Sequence, residues 1–378
     1  MSNDIGQKIV WSCNLDSSGY SSCARSYIKA LHDNDRCSVF VKINNVARNI
    51  NLSGLSSDDI LFFSSIAVDG KIDGAKIIQH CVPDRLILGN NPTILYTVVE
   101  LQPPKRWVEI CNRCSIVMTA SEFCKQVMME SGIKEEIINV VPHCHDLSIW
   151  NPDVKPLNIK NLKDFNFLFL GDYTPRKGGD ILIRNFVKTF RRNKNVSLTI
   201  KGYFNSFKQE DQDKLIKRIT KEADGTGIPR SDQPAIYFYG EPIQERYMNR
   251  FMASFDCLVS PHHGEGFGLS MSQNMCLGKP TISTGYSGNL EFMDNENSFL
   301  IETDGMERVP IEMVKINPNY NGREWIKIKE ESLRNLMESV YNDQDRSIEI
   351  GKKAFNSIKE KLSSVNISNK IIDIIEGC

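Results

Sequence analysis

Apolar residues fall along the chain in short continuous runs. Between these runs lie polar turns and segments whose apolar positions recur with the helical period. "KIVWSCNL" reads as a first strand, "DSSGYSS" as a loop and "CARSYIKALHD" as a helix. The runs "SVFVKI", "ILFFSSI", "AKIIQHC", "ILYTVVE", "SIVMTAS" and "IINVVPH" follow as strands, the later ones separated by helices such as "SEFCKQVMMESG". Uninterrupted apolar strands alternating with helices predict a mostly parallel sheet covered on both faces. "WNPDVKPLNIKNLKDF", 150–165, has two prolines and no clean period, and is taken as a linker.

The alternation then restarts with strands "FNFLFLGD", "VSLTIKGY", "AIYFYGE", "DCLVSPH" and "PTISTGY". The helices between them are "DILIRNFVKTFRRN", "QEDQDKLIKRITKEADG", "ERYMNRFMASF" and "SMSQNMCLG". From about residue 323 to 378 the pattern predicts helix throughout, beginning with "EWIKIKEESLRNLMESVYND". Two α/β domains in tandem account for this order, and 378 residues exceed what one core usually serves.

Charge narrows the partners. With 46 Lys+Arg against 47 Asp+Glu the net charge is −1, so nothing in the overall balance attracts a polyanion. The start "MSNDIGQKIVWSCNL" lacks a basic segment leading into a long apolar core, and no run reaches membrane-spanning length, so a cytoplasmic protein is expected. The eleven cysteines are scattered and often sit in apolar runs, as reduced buried thiols do. The one CxxC, Cys111 and Cys114, reads as lying mid-helix. Zinc binding together with "HCH" at 143–145 is the alternative reading.

Two turns carry the candidate chemistry. In "GDYTPRKGGDILI", 171–183, Arg176 and Lys177 stand among glycines between a strand and a helix. Glycines let the backbone approach a ligand, and a helix N-terminus with two cations suits an oligophosphate; a solvated surface turn is the alternative. In "SPHHGEGFGLSMSQNMCLGKPTISTGYSGNLEF", 260–292, Gly264, Gly266 and Gly268 make a loop at a strand's C-terminal end, where α/β sheets bind ligands. Glu265 leads that loop, and Gln273 is read as two helical turns further on, on about the same face.

Through "GDYTPRKG", "GEGFGLSMSQNMCLGKPTISTGYSGNLEF" and the weaker "SSGYSSCARSYIKAL", "YTVVE" and "VPHCHDLSIWNP", the chain resembles glycosyltransferase family 4. These are retaining enzymes of GT-B fold that use nucleotide-sugar donors. The resemblance implies two Rossmann-like doubly wound α/β domains facing a cleft: an acceptor-binding domain over 1–152 and a nucleotide-sugar-binding domain over 153–359. C-terminal helices, about 360–378, would cross back to the first. It implies that Arg176 and Lys177 neutralise the donor diphosphate, that Glu265 holds hydroxyls of the transferred sugar, and that Phe267, Gly268 and Leu269 lie along the diphosphate. Gln273 stands where the family has a ribose-gripping Glu. Gly171 and Gly202 would border the donor, Gly19 the turn where acceptor and diphosphate meet, and His80 and Glu100 the sugar. Taken alone, a His or Glu at a strand end is as readily a satisfied surface group. His143 and His145 are expected to be structural and His262 and His263 to line the loop, none of the four being catalytic.

The pairs Asp33/Asp35, Asp211/Asp213 and Asp343/Asp345 fall at helix ends or in a charged helix, so no metal is expected and no cofactor beyond the nucleotide sugar. The expected reaction moves a hexosyl group from a UDP- or GDP-linked sugar to a hydroxyl of a glycan, lipid-linked sugar, protein or modified nucleic acid, without an obligate protein partner. A non-catalytic nucleotide-sugar-binding protein and a sugar-nucleotide epimerase are the alternatives. The bases are expected near "KGYF" and "YFYGEP".

Overall fold

The computed structural model describes residues 6–16, 18–44, 55–89, 92–203 and 208–377, so Phe204 of "KGYF" lies outside the described residues. The chain divides into two compact units, one of Met1–Ser148, Gln244–Arg246 and Lys359–Cys378, the other of Ile149–Ile243 and Tyr247–Ile358.

The first unit is built on β1 (Gln7–Cys13), α1 (Gly19–His32), β2 (Cys37–Ile43), α2 (Ser57–Ser65), β3 (Lys76–His80), β4 (Ile94–Tyr96), α3 (Lys105–Cys111), β5 (Ile116–Thr119), α4 (Glu122–Glu130) and β6 (Ile138–Val140). Its six strands run in the order β2-β1-β3-β4-β5-β6, all parallel. The strands are short and buried because helices cover both faces. The order reverses between β1 and β3, the point beside which sheets of this kind commonly place a ligand.

"ILFFSSI", expected as a strand, is helix α2. Ser56 caps it by accepting from the Asp59 N–H, and Asp58 and Asp59 occupy its first turn, where acidic side chains favour the helix start. Only Phe63 of its apolar residues is buried, so the run never had two faces to hide. The CxxC is not mid-helix: Cys111 is the last residue of α3 and Cys114 lies three residues beyond. Burial pushes both thiols up to about 12, the protonated and inert state. Among the described residues no three His, Cys, Asp or Glu gather into a metal-binding group.

The second unit contains β7 (Phe165–Asp172), α5 (Gly179–Thr189), β8 (Val196–Tyr203), α6 (Gln209–Asp224), β9 (Ala235–Tyr239), α7 (Glu245–Ala253), β10 (Cys257–Ser260), α8 (Leu269–Cys276), β11 (Thr281–Thr284) and β12 (Phe299–Ile301). Of α7, the residues from Tyr247 on belong to this unit. The sheet order is β12-β11-β10-β7-β8-β9, again parallel, with the reversal between β7 and β10. Phe165, Phe167, Phe169, Phe186 and Phe190 fill the core under α5.

From about residue 323 the chain departs from the expected continuous helix. β13 (Thr303–Arg308) and β14 (Glu324–Ile328) form an antiparallel pair around a short α9 (Ile311–Ile316), and helix resumes only with α10 (Glu330–Asn342), α11 (Gln344–Lys361) and α12 (Ser364–Glu376). In "EWIKI" the side chains of Trp325, Ile326 and Ile328 are buried while Lys327 is exposed, so the segment pairs as a strand. The end of α11 and all of α12 count with the first unit, where α12 packs on α1. Among the described residues no helix is long and apolar enough to cross a membrane.

Candidate functional site

In the second unit, the loops leaving β7 and β10 meet at the point of sheet reversal. After β7 the chain makes a short 3-10 turn, Pro175–Lys177, and Gly178 takes a left-handed φ of 71° before α5 begins. A Cβ at Gly178 would sit 1.8 Å from the Pro261 carbonyl oxygen, so this glycine is required both by its backbone angle and by the close approach of the β10 loop. The His263 N–H donates to the Arg176 carbonyl at 2.8 Å, stitching the two loops together.

The side chains complete the stitch. Arg176 Nη1 donates to the Gly264 carbonyl at 2.7 Å and to Glu265 Oε1 at 3.2 Å, and Lys177 Nζ stands 2.5 Å from the same oxygen. Arg176 and Glu265 are 9% and 6% exposed, so this is a nearly dry cluster of two cations and one carboxylate. Burial alone would raise the Glu265 pKa. The Lys177 and Arg176 charges reverse that and bring it down to about 2. Taken together the three side chains carry one positive charge, a balance suited to an anion.

The glycine loop is braced from below. The Glu265 N–H donates to Ser287 Oγ at 3.0 Å, and the Gly288 N–H donates to the Glu265 carbonyl at 2.9 Å. Ser287 holds a φ of 80°, a strained position for a residue with a Cβ, and a Cβ at Gly288 would lie 2.1 Å from the Gly266 carbonyl oxygen. Phe267 is buried against Phe292, with ring centroids 4.9 Å apart. Gly268, at φ 100°, turns the chain into α8. Leu269 is therefore the first helical residue. Gln273 stands one turn into α8 rather than two turns along a face shared with Glu265, and Glu265 itself lies outside the helix. Gly171 and Gly202 pair across β7 and β8. A Cβ at Gly202 would lie 2.4 Å from the Gly171 carbonyl oxygen, and the Lys177 stem passes over Gly171.

The hairpin that the sequence pattern hid also reaches this loop. The His263 ring stacks on Trp325 with centroids 4.2 Å apart, and His263 Nδ1 lies 2.7 Å from the Ile326 carbonyl oxygen. Trp325 Nε1 donates to Glu307 Oε1 at 3.0 Å. Its signal was the single tryptophan in "EWIKI", masked by the charged helix that follows. His262 is fully buried beside Ser283, and burial brings its pKa down to about 3, so it stays neutral beside the cations.

Three expected residues belong to the first unit. Gly19 opens α1, behind the capping Ser18. His80 is the last residue of β3 and is buried. Glu100 does not end a strand: β4 stops at Tyr96, and Glu100 lies four residues on, half-buried. His143 bonds the Tyr27 hydroxyl through Nδ1 at 2.8 Å, and the His145 N–H donates to the Leu362 carbonyl, both structural arrangements. The structure thus brings Arg176, Lys177, Glu265, Phe267 and Gly268 onto adjoining loops of one unit, with Leu269 and Gln273 on the start of α8 and Gly171 and Gly202 at the strand ends beside them.

Residues 164–314 match the family model of the glycosyl transferases group 1. An uncharacterised glycosyltransferase of Methanocaldococcus jannaschii is 23% identical over 253 residues. The match covers 66% of this chain and 60% of the relative. Among solved structures, Anabaena HepE in complex with UDP and glucose has a TM-score of 0.68 at 15% identity, covering 98% of this chain and all of that one. A Rickettsia africae glycosyltransferase has a TM-score of 0.66 at 12% identity, covering 99% of this chain and 100% of that one. The sucrose-phosphate synthase of Thermosynechococcus elongatus has a TM-score of 0.65 at 12% identity, with 98% of each chain covered. The fold is that of two Rossmann-like parallel α/β domains, and its structural neighbours are GT-B glycosyltransferases. The comparisons support a relationship to the group 1 glycosyltransferases.

Proposed function

We propose that this chain is a retaining glycosyltransferase of family 4 that takes a sugar from a nucleoside diphosphate and places it on an acceptor hydroxyl. The observation that carries the reading is the Arg176–Lys177–Glu265 cluster, nearly dry, one charge positive, at the sheet reversal beside a glycine loop. The donor is proposed to be a UDP-sugar first and a GDP-sugar second, because the HepE structures contain UDP, UDP with glucose, and UDP-glucose.

In this reading the diphosphate sits against Arg176 and Lys177, whose charge stabilises it as it leaves. The backbone N–H groups that open α8, from Leu269 on, face its oxygens. Glu265 holds the transferred sugar and Gln273 the ribose, through a neutral amide where relatives use a carboxylate. That amide can both donate and accept but gives up charge-assisted strength, about 1 kcal/mol. The acceptor hydroxyl attacks on the face the diphosphate leaves and gives its proton to a departing phosphate oxygen, which retains the anomeric configuration and needs no separate carboxylate base. The two cations supply the charge that a metal supplies elsewhere. The first unit is assigned the acceptor, and the reaction is placed in the cytoplasm.

The test is thermal stabilisation against a panel of nucleoside diphosphates and nucleotide sugars, with Arg176→Ala beside the native chain. A shift specific to one base and lost in the variant supports the reading. No shift with any nucleotide overturns it. Nucleotide released with an acceptor present separates a transferase from a protein that binds the donor without turnover.

A further inference from the structure

The second unit has a pocket at the end of its sheet opposite the candidate site. Phe165 is the first residue of β7, Asp256 directly precedes β10 and Pro280 directly precedes β11, and these three residues border it. The Pro175–Lys177 turn and the glycine loop leave the other ends of β7 and β10, so no residue of the cation cluster belongs to this pocket. Its volume is about 460 Å³. Small-molecule sites in proteins are mostly apolar hollows of roughly 300–1,000 Å³ with a few polar groups set among them.

The floor is apolar, made by Phe165, Pro280 and the buried Leu277. One wall is a stripe of α11, where Ile348, Lys352 and Phe355 follow the spacing that puts side chains on one helix face. Ile348 is 50% exposed and Phe355 half-buried, so this stripe keeps apolar surface in water, where a ligand body gains by covering it. The width of the pocket is set by backbone. A Cβ at Gly351 would lie 2.2 Å from the Gly278 carbonyl oxygen, so α11 and the turn after α8 already touch and cannot slide together to fill the space.

Three charged side chains line the pocket, and two of them are answered within the fold. Lys352 Nζ stands 2.5 Å from Glu349 Oε1. Asp256 Oδ2 accepts from the Asn166 N–H at 2.7 Å and from Asn166 Nδ2 at 3.2 Å. Lys279, half-buried in the turn after α8, is the exception: its ammonium has no hydrogen-bond or ion-pair partner among the described residues. A half-buried ammonium beside an apolar hollow attracts one negative group and binds it through a charge-assisted hydrogen bond. We propose that this pocket is a second ligand site, for a small singly charged anion with an apolar body: the anionic group meets Lys279 and the body lies between the Ile348–Phe355 stripe and the floor. The proposal goes beyond the transferase reading and does not depend on it.

Saturation-transfer NMR with 2-naphthoate, titrated against the full chain, tests this. The native chain is expected to bind it. Lys279→Gln and Ile348→Asp each weaken binding about tenfold or more, the first by removing the charge that the carboxylate meets and the second by setting a like charge in the wall. Lys353→Gln, at an exposed lysine of α11 that does not line the pocket, leaves binding unchanged. 2-Naphthamide, which has the rings without the charge, binds the native chain about tenfold more weakly and is indifferent to Lys279→Gln. Sodium acetate, which has the charge without the rings, does not displace 2-naphthoate, and neither does UDP. If Ile348→Asp does not fold, as judged by circular dichroism, Lys279→Gln decides. No binding by the native chain, affinity unchanged in Lys279→Gln, or equal affinity for the two naphthalene compounds overturns the proposal. Displacement by acetate overturns the apolar body, and displacement by UDP overturns the location by placing the probe in the candidate donor site. A thermal shift with UDP alone, measured on the same samples, keeps the two readings apart: its absence beside Lys279-dependent naphthoate binding fails the donor reading only, and its presence without such binding fails this site only.

Discussion

Glu265→Gln removes the one negative charge between two cations. Bringing this carboxyl from its ordinary 4.5 to about 2 corresponds to about 3 kcal/mol of net stabilisation, the pairing with the two cations less the cost of burial. The same range is expected when one partner of a buried ion pair is removed and the others stay behind, about 3–5 kcal/mol. For a unit of about 200 residues this is a fall in Tm of roughly 6–12 °C at pH 7. Because the folded pKa is the lower one, the stabilisation is fully present above pH 4.5 and is lost as the pH falls toward 2. The gap between native chain and variant is therefore flat from neutral pH down to about 4.5 and narrows below it. A nucleoside diphosphate closes part of the gap at pH 7 by offering Arg176 and Lys177 another anion. Scanning calorimetry of both proteins at a series of pH values, with and without nucleotide, reads all three effects. A variant as stable as the native chain at pH 7, or a deficit that does not shrink on acidification, refutes the assignment of an ion-paired Glu265.

Gly178→Ala forces a side chain against the Pro261 carbonyl at a left-handed backbone angle, and urea denaturation is expected to show a loss on the order of 3 kcal/mol or more. Gln273→Glu restores a charged hydrogen-bond acceptor, so the donor KM is expected to fall severalfold with little change in kcat; an unchanged KM removes Gln273 from the ribose. Trp325→Ala takes away the plane on which His263 stacks, and nucleotide affinity measured by calorimetric titration is expected to weaken about tenfold, whereas Trp325→Phe, which keeps a ring there, stays close to the native value.

Most of the second unit was legible because its strands are buried on both faces and read as unbroken apolar runs. β7 and β8 match "FNFLFLGD" and "VSLTIKGY" residue for residue. The same signal misled at "ILFFSSI", an equally apolar run that exposes Leu61 at 69%; the capping Ser56 and the acids behind it were the better guide. "EWIKI" failed the other way, since charged flanks continuous with α10 hid a five-residue strand whose partner lies elsewhere in the chain. Of the site, the residue types of both turns were visible as motifs. The ion pair that joins Glu265 to Lys177 and Arg176 was not, because no local pattern encodes which loops a sheet reversal brings together. The position of Gln273 was misjudged because the left-handed Gly268 delays the helix start to Leu269.

The His263–Trp325 stack has a consequence for how the protein is made. Arg176 and its carboxylate partner are 89 residues apart, and His263 and the carbonyl its ring reaches are 63 apart, so the cluster is assembled from pieces that leave the ribosome in sequence. A nascent chain extending just past the second strand of this unit already displays both cations with nothing opposite them. The loop that neutralises them arrives later, and the hairpin under that loop later still. Contacts this distant form slowly and last, so the Arg176–Lys177–Glu265 cluster matures only after the surrounding sheet is complete. A chain stalled before Glu265 would hold the two cations without the carboxylate that pairs with them in the finished fold.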